Sequence, residues 1–440
     1  MTILEHPEAQ TLLADAELSA ASVRSCADRL TAFAQRYLPL FYRKEHRVHA
    51  LTILGGKLSG LQRKTTEPIA RQARQRRRNL QLFVGAGGWD DAALRDELRR
   101  HVRDELADPA GVFILDPSAF PKKGDDSCGV TRQWCGCLGK VDNCQAGVFL
   151  AYVGRRGKAL LDARLYLDED WATDAARRAK TYVPDAVPFK EKWRIGLELL
   201  DRARAALPGT WVVGDDEFGR CTALRGALRL RQLRYVLDVP CNTLVRDLGE
   251  RRPPSRPGGQ PRRPLFERVD QWLARQPAGR WRTVKVRDGE KGPMLVKVLL
   301  ATVQTKDSDG CVGPRERLAV LKSCEKKPQT WYTLSNAHQA RRPELARVHG
   351  TRHRVEELLE EGKQEVGLGH YEVRSWLGWH HHMTLSLLAL WFLQLERLRL
   401  GGKNTGHDSA AGADDLHGAV EASESDAGGD SGSGQPSAAA

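Results

Sequence analysis

Gly111-Val112-Phe113-Ile114-Leu115-Asp116 is a short apolar run closed by a carboxylate. A run of this length and kind predicts a strand. Residues 147–153 and 160–167 repeat the pattern, joined by Gly154-Arg155-Arg156-Gly157, a sequence suited to a hairpin turn. Helical spacing follows over about 190–207. The next apolar run, Trp211-Val212-Val213-Gly214, ends in Asp215-Asp216. A basic helix over about 222–231 then leads to a further strand at 235–239. Three consecutive strands, then helix, strand, helix, strand, predict a mixed α/β sheet.

That order is the one of an RNase H-type sheet, expected over residues 108–239. Upstream, residues 1–107 read as a helical N-terminal region, with segments at 14–42, 63–78 and 90–106. Gly87-Gly88 interrupts the pattern, and Asp90 is placed to cap a helix starting at Asp91. Downstream, 240–337 reads as a β-rich insertion: a Pro/Arg/Gly loop at 251–264, then alternating segments at 282–286, 294–303 and 317–323. Residues 338–400 return to helix and complete the core. The acidic Gly/Ser/Ala/Asp tail 401–440 is expected to be disordered.

The charge points to a polyanionic partner. The formal net charge is +13, yet the last forty residues hold seven acids against one base, so the excess lies wholly upstream. Counterion release makes nucleic acid the natural partner of such a body. Met1–Leu18 lacks an apolar core of the secretory type, and the longest apolar stretch, 383–395, is too short and interrupted to span a bilayer. Nine cysteines, an odd number in a long chain, suit a reducing cytoplasm better than a disulfide framework.

Two-metal phosphodiester chemistry needs several carboxylates converging on one point, best carried by strand ends. Asp116 and Asp215 would share one edge if their strands are parallel neighbours. Aspartate after an apolar run is equally ordinary turn chemistry. A third candidate comes from helical spacing: His349, Arg352, Glu356 and Lys363 fall within an arc of about 60° on one helix face. Glu356 on that stripe would hold metal while its basic neighbours grip phosphate. The same stripe also reads as an ion-pair ladder, with Glu360 as an alternative on nearly the same face.

The run from Leu115 to Gly124, LDPSAFPKKG, resembles the first catalytic block of DDE transposases from bacterial insertion sequences. GVTRQWCGCLGKVDNCQAGVFL, at 129–150, is similar to the same family. WVVGDDEFG, at 211–219, resembles the second block, and RHRVEELLEEGKQEVGLGHYEVR, at 352–374, the third, which carries the Y-R-E-K signature. The likeness runs in the right order from about Tyr37 to Leu395. It implies an RNase H-like catalytic core with a β insertion, and an enzyme that is a Mg²⁺-dependent DNA endonuclease and strand transferase, with Mn²⁺ able to substitute.

By the same resemblance Asp116, Asp215 and Glu356 are the catalytic metal ligands, with Asp216 as the alternative to Asp215. Arg352 and Lys363 match the Arg and Lys of the signature, which implies that they contact DNA. His349 stands in the place of its Tyr, Pro117 where many relatives carry a second Asp, and Phe218 for a common Tyr. Lys122 and Lys123 in the first block, and Arg76, Arg77 and Arg78 upstream, are further DNA-contact candidates. The implied partners are the terminal inverted repeats and target DNA, with a homodimer in the synaptic complex and no membrane. The implied location is the bacterial cytoplasm, at the nucleoid.

Other features read more plainly. Cys128, Cys135, Cys137 and Cys144 lack a usual zinc spacing and read as small buried strand residues. His380-His381-His382 reads as polar surface or DNA contacts, because consecutive helix residues point in different directions. Arg71–Arg78 reads as one basic helix face, the loop 251–263 as a phosphate contact, and Trp272 and Trp281 as core residues before base-stacking ones. A domesticated DNA-binding regulator and a structure-selective nuclease on the same fold are the rival functions.

Overall fold

The computed structural model describes residues 20–250, 265–289, 292–307 and 309–400. The chain divides into two compact units, one of residues 98–359 and the other of residues 1–97 with 360–440. Its first helices are α1 (Ala20–Gln35), α2 (Lys44–Leu58), α3 (Thr66–Gln72), α4 (Arg77–Ala86) and α5 (Asp91–Leu106). Asp90 caps α5, its Oδ1 accepting from the N–H groups of Ala92 at 2.9 Å and Ala93 at 3.2 Å. Asp90→Ala is therefore expected to cost about 1 kcal/mol, read as a lower thermal midpoint with DNA binding unchanged.

The basic run at 71–78 is not one helix face. Arg74 adopts a left-handed φ of 51°, and Gln75 N–H closes the turn onto Ala70 O at 2.8 Å. That left-handed closure ends α3, and α4 restarts at Arg77. Arg76, Arg77 and Arg78 are exposed, and Arg77 lies 3.3 Å from Glu67.

The larger unit is built on a sheet. Its strands and helices are β1 (Val112–Pro121), β2 (Thr131–Cys135), β3 (Lys140–Val153), β4 (Lys158–Leu165), α6 (Glu169–Thr173), α7 (Ala175–Lys180), α8 (Lys192–Arg204), β5 (Trp211–Gly214), α9 (Asp216–Gly219), α10 (Thr222–Leu230) and β6 (Arg234–Val239). β3 runs antiparallel to both β1 and β4, while β1, β5 and β6 are parallel. The spatial order β4-β3-β1-β5-β6 is that of an RNase H-like core. Gly154 N–H bonds Gly157 O at 3.0 Å, so the expected hairpin turn is present. The parallel pairs need crossovers, supplied by α6 to α8 and by α9 and α10.

The insertion extends the same sheet. It contains β7 (Leu244–Asp247), β8 (Glu267–Arg268), α11 (Val269–Ala274), β9 (Arg282–Gly289), β10 (Gly292–Lys306), β11 (Glu316–Ser323) and β12 (Thr330–Ser335). β12 pairs antiparallel with β6, so a sheet of 12 strands runs through both parts. Trp272 sits fully buried in the insertion's core with Val245, Leu299, Val303, Leu318 and Leu334, and Trp281 packs against it partly buried. Trp272 is thus a packing residue, its indole N–H bonding Asp247 at 3.2 Å. The arginine loop at 251–263 lies outside the described residues, as does the tail at 401–440.

A buried knot fastens the insertion to the core. Glu316, at the start of β11, is fully buried and lies 3.0 Å from Arg225 Nε and 3.1 Å from Arg229. The Tyr235 hydroxyl donates to the same carboxylate, and Arg225 reaches Thr305 Oγ1 at 3.0 Å. One acid therefore ties α10, β6, β10 and β11 together. Of the four spaced cysteines, Cys128, Cys135 and Cys144 are buried, but Cys137 is exposed and Cys128 lies in a turn. All are free thiols.

Two helices follow, α12 (Arg342–Gly350) and α13 (His353–Gln364), and then α14 (Trp376–Arg399). In the helical unit α14 is apolar around most of its circumference and buried along nearly its whole length. This overturns the surface reading of His380, His381 and His382, all of which are buried. Pointing in different directions does not expose residues of a helix that is covered on every side. His381 stacks on Trp89 with ring centroids 3.6 Å apart, its two nitrogens 3.0 and 3.1 Å from Val84 O and Trp89 O. Among the described residues, no helix is long and apolar enough to cross a membrane.

Candidate active site

The register of the parallel strands decides which side chains share an edge. Leu115 of β1 pairs with Gly214 of β5, and Gly214 pairs with Leu237 of β6. The residue after each is a carboxylate: Asp116, Asp215 and Asp238. β1 itself continues past Asp116 to Pro121 along β3, so Asp116 marks the end of parallel pairing and not the end of the strand. Asp215 caps α9, accepting from Glu217 N–H at 3.1 Å and Phe218 N–H at 3.3 Å. Asp216 turns outward instead, pairing with Arg220 at 2.7 Å. Gly219 closes this corner: a Cβ there would fall 1.8 Å from Asp238 O, so only glycine lets α9 approach β6.

The expected helical stripe is broken. α12 ends at Gly350 and α13 begins at His353, so His349 and Glu356 lie on different helices, with Arg352 in the joint. The chain turns there through Thr351 N–H to Val348 O at 3.1 Å and Arg352 N–H to His349 O at 3.0 Å, where the spacing argument assumed one straight helix. Arg352 and Glu356 still meet, Nη2 to Oε1 at 2.9 Å. Arg352 Nε also lies 3.3 Å from Asp238 Oδ2, and His349 Nε2 lies 3.0 Å from Asp238 Oδ1. His349 is buried against Asp238, not presented at the surface. Lys363 is half-buried in the last turn of α13 and belongs to the helical unit. Glu360 accepts from Gln364 at 3.1 Å. Lys123 is exposed, and Lys122 is half-buried with its backbone N–H on Asn143 O at 2.9 Å.

The electrostatics follow the geometry. Burial, reinforced by Glu217 and Asp216, pushes the Asp215 carboxyl up to about 6. Burial opposes the charge of Arg352, but Asp238, Glu356, Asp116 and Asp215 together hold its pKa above the ordinary value. A bond from His353, aided by Arg352, keeps Glu356 below the usual carboxylate range. Its neighbour Glu357 is engaged elsewhere: Lys158 and Arg354 overcome burial and hold its carboxyl at about 2.

Over residues 36–293 the sequence matches the family described as DDE superfamily endonuclease, more than half of the chain. The chain belongs to this family. No curated protein matches it. The matched span contains Asp116, Asp215 and Asp238 and ends before Glu356. A DDE superfamily endonuclease is a nuclease or transposase that acts on DNA, and divalent metals are typical of the family.

The residues of this DDE endonuclease fit such a metal in kind. Its candidate ligands are hard oxygen donors, and the Arg352 cation already rests in the field of four carboxylates. Among the described residues no three His, Cys, Asp or Glu side chains close into a ligand set. Glu356 is turned onto Arg352 and His353, the latter at 3.1 Å. Sequence reasoning passed over Asp238, which follows the apolar run Tyr235-Val236-Leu237 but lies inside its strand, before Val239. Its signal was its position, one residue beyond the level at which β5 ends.

Proposed function

We propose that this chain is a DNA transposase of a bacterial insertion sequence. It binds the element's terminal inverted repeats, cleaves there, and joins the freed 3′ ends to target DNA by cut-and-paste transposition. The observation that carries this reading is the register that sets Asp116 and Asp215 side by side at one sheet edge, with Arg352 in the field of both and paired with Glu356. Asp116, Asp215 and Glu356 would hold divalent metal, Mg²⁺ with Mn²⁺ as its substitute. Such ions lower the pKa of the attacking water or 3′-hydroxyl and stabilise the leaving oxygen. Asp215 is favoured over Asp216 because it follows the paired strand directly and is turned inward. Arg352 would face DNA phosphate, and Lys122, Lys123, Lys363 and Arg76 to Arg78 would bind the duplex. His349 takes no direct part in this reading, since Asp238 engages it. Synapsis of two ends calls for a homodimer on DNA, at the bacterial nucleoid.

The test is to incubate the full chain with Mg²⁺, a target plasmid and DNA carrying the inverted repeats that flank the gene. Joined products from wild type and none from Asp116→Ala are expected. Identical products from both chains would sink the reading. End binding without cleavage would identify a regulator, and cleavage without joining a nuclease.

A pH dependence follows from Asp215. Its carboxyl titrates near 6, raised by burial, so below that pH it is protonated and lost as a ligand. Cleavage is expected to fall as pH drops through about 6. Proton and metal compete for the same oxygens, so more Mg²⁺ should move the fall to lower pH. Rate profiles at two Mg²⁺ concentrations check this. An acid limb indifferent to Mg²⁺ would remove Asp215 from the ligand set.

A further inference from the structure

Asp238 is the carboxylate at this edge to which neither the sequence nor the reading above gives a role. It is buried, and both of its oxygens are engaged: Oδ1 lies 3.0 Å from His349 Nε2 and Oδ2 lies 3.3 Å from Arg352 Nε. A carboxylate so occupied is poorly placed to bind metal and well placed to hold a cation. Arg352 spans it and Glu356, using Nε for one and Nη2 for the other at 2.9 Å. A guanidinium is a rigid, planar fork with donors on separate edges, so one edge can let go while the other stays bound.

Glu356 is the movable partner. It is exposed, whereas Asp238 is buried on β6 and backed by His349 on a second element. We propose that Asp238, braced by His349, is a positioning residue that anchors Arg352, so that the guanidinium releases Glu356 without leaving the site. The released edge then faces a DNA phosphate, and Glu356 is free to turn to metal. Without Asp238, Arg352 would rest wholly on Glu356 and compete with the metal for it. The proposal rests on the reading of Asp116, Asp215 and Glu356 as metal ligands.

The two roles open to Asp238, through Arg352 or through its own charge, separate in a double-mutant cycle. Binding of Mn²⁺ to the full chain, followed by electron paramagnetic resonance, requires no turnover. Asp238→Asn in the wild-type background is expected to weaken Mn²⁺ binding about tenfold, on the order of one charge-assisted hydrogen bond. In an Arg352→Gln background the same change is expected to alter it less than about twofold, because no guanidinium is left to compete. Arg352→Gln alone should tighten Mn²⁺ binding. It supplies a reading that does not depend on Asp238→Asn folding, which the thermal midpoint monitors.

Equal weakening of Mn²⁺ binding in both backgrounds would mean that Asp238 acts by charge or as a ligand, and would overturn the proposal. So would no effect in either background, or weaker binding by Arg352→Gln alone. If wild type binds no Mn²⁺, or Asp116→Asn binds it as well as wild type does, the underlying ligand assignment fails and the proposal falls with it. A failure confined to the cycle leaves that assignment standing.

Discussion

Asp116→Asn is expected to keep the fold and DNA binding while losing cleavage by on the order of a thousandfold. The reason lies in its position. Asp116 follows the last residue of β1 paired to β5, level with Asp215 after β5, and its charge acts on Arg352. A metal contributes several kcal/mol of charge stabilisation, and each 1.36 kcal/mol is about a factor of ten in rate. Asparagine is nearly isosteric, so strand pairing from Val112 to Pro121 should survive. Single-turnover cleavage of a labelled terminal-repeat duplex, with binding measured separately in Ca²⁺, checks both halves. A rate within about tenfold of wild type would exclude Asp116 as a ligand.

The second large effect concerns stability. Glu316→Gln is expected to destabilise the sheet unit by about 3 kcal/mol or more, because it leaves a buried arginine uncompensated. Arg225 is nearly as buried as Glu316 itself, with side-chain exposures of 4% and 0%. Neither can find water in place of the lost partner. Hydrogen exchange along β10 and β11 should accelerate before that of β1 and β3, since the knot joins the insertion to α10 and β6. A change below about 1 kcal/mol in urea unfolding would show that the knot is not a fastening point.

The core was legible because its signals are local. Apolar runs before Asp116 and Asp215, and the Gly-Arg-Arg-Gly turn, carry their meaning within a few residues. The strand order then followed. What escaped depends on neighbours distant in sequence. Asp238 is unremarkable until β5 and β6 are aligned residue by residue. The stripe through His349 and Glu356 assumed one helix, and the chain forms two. Arg71 to Arg78 looked like a continuous basic face until Arg74 turned left-handed. The three histidines were misjudged because their polarity was weighed without the carbonyls that receive them: Trp376 for His380, Val84 and Trp89 for His381, and Leu368 for His382.

The pairing of β12 with β6 has a consequence for how such a chain can be shortened. Tyr332, Thr333 and Leu334 bond to Val239, Asp238 and Leu237, so the insertion covers a flank of the core that would otherwise stand open. An unprotected strand like β6, mostly apolar and buried in all but its first residue, is a template for a strand from another chain. Excising residues 240–337 would leave a core whose outermost strand is ready to join another molecule. The insertion thus supplies the strand that keeps β6 from being an edge.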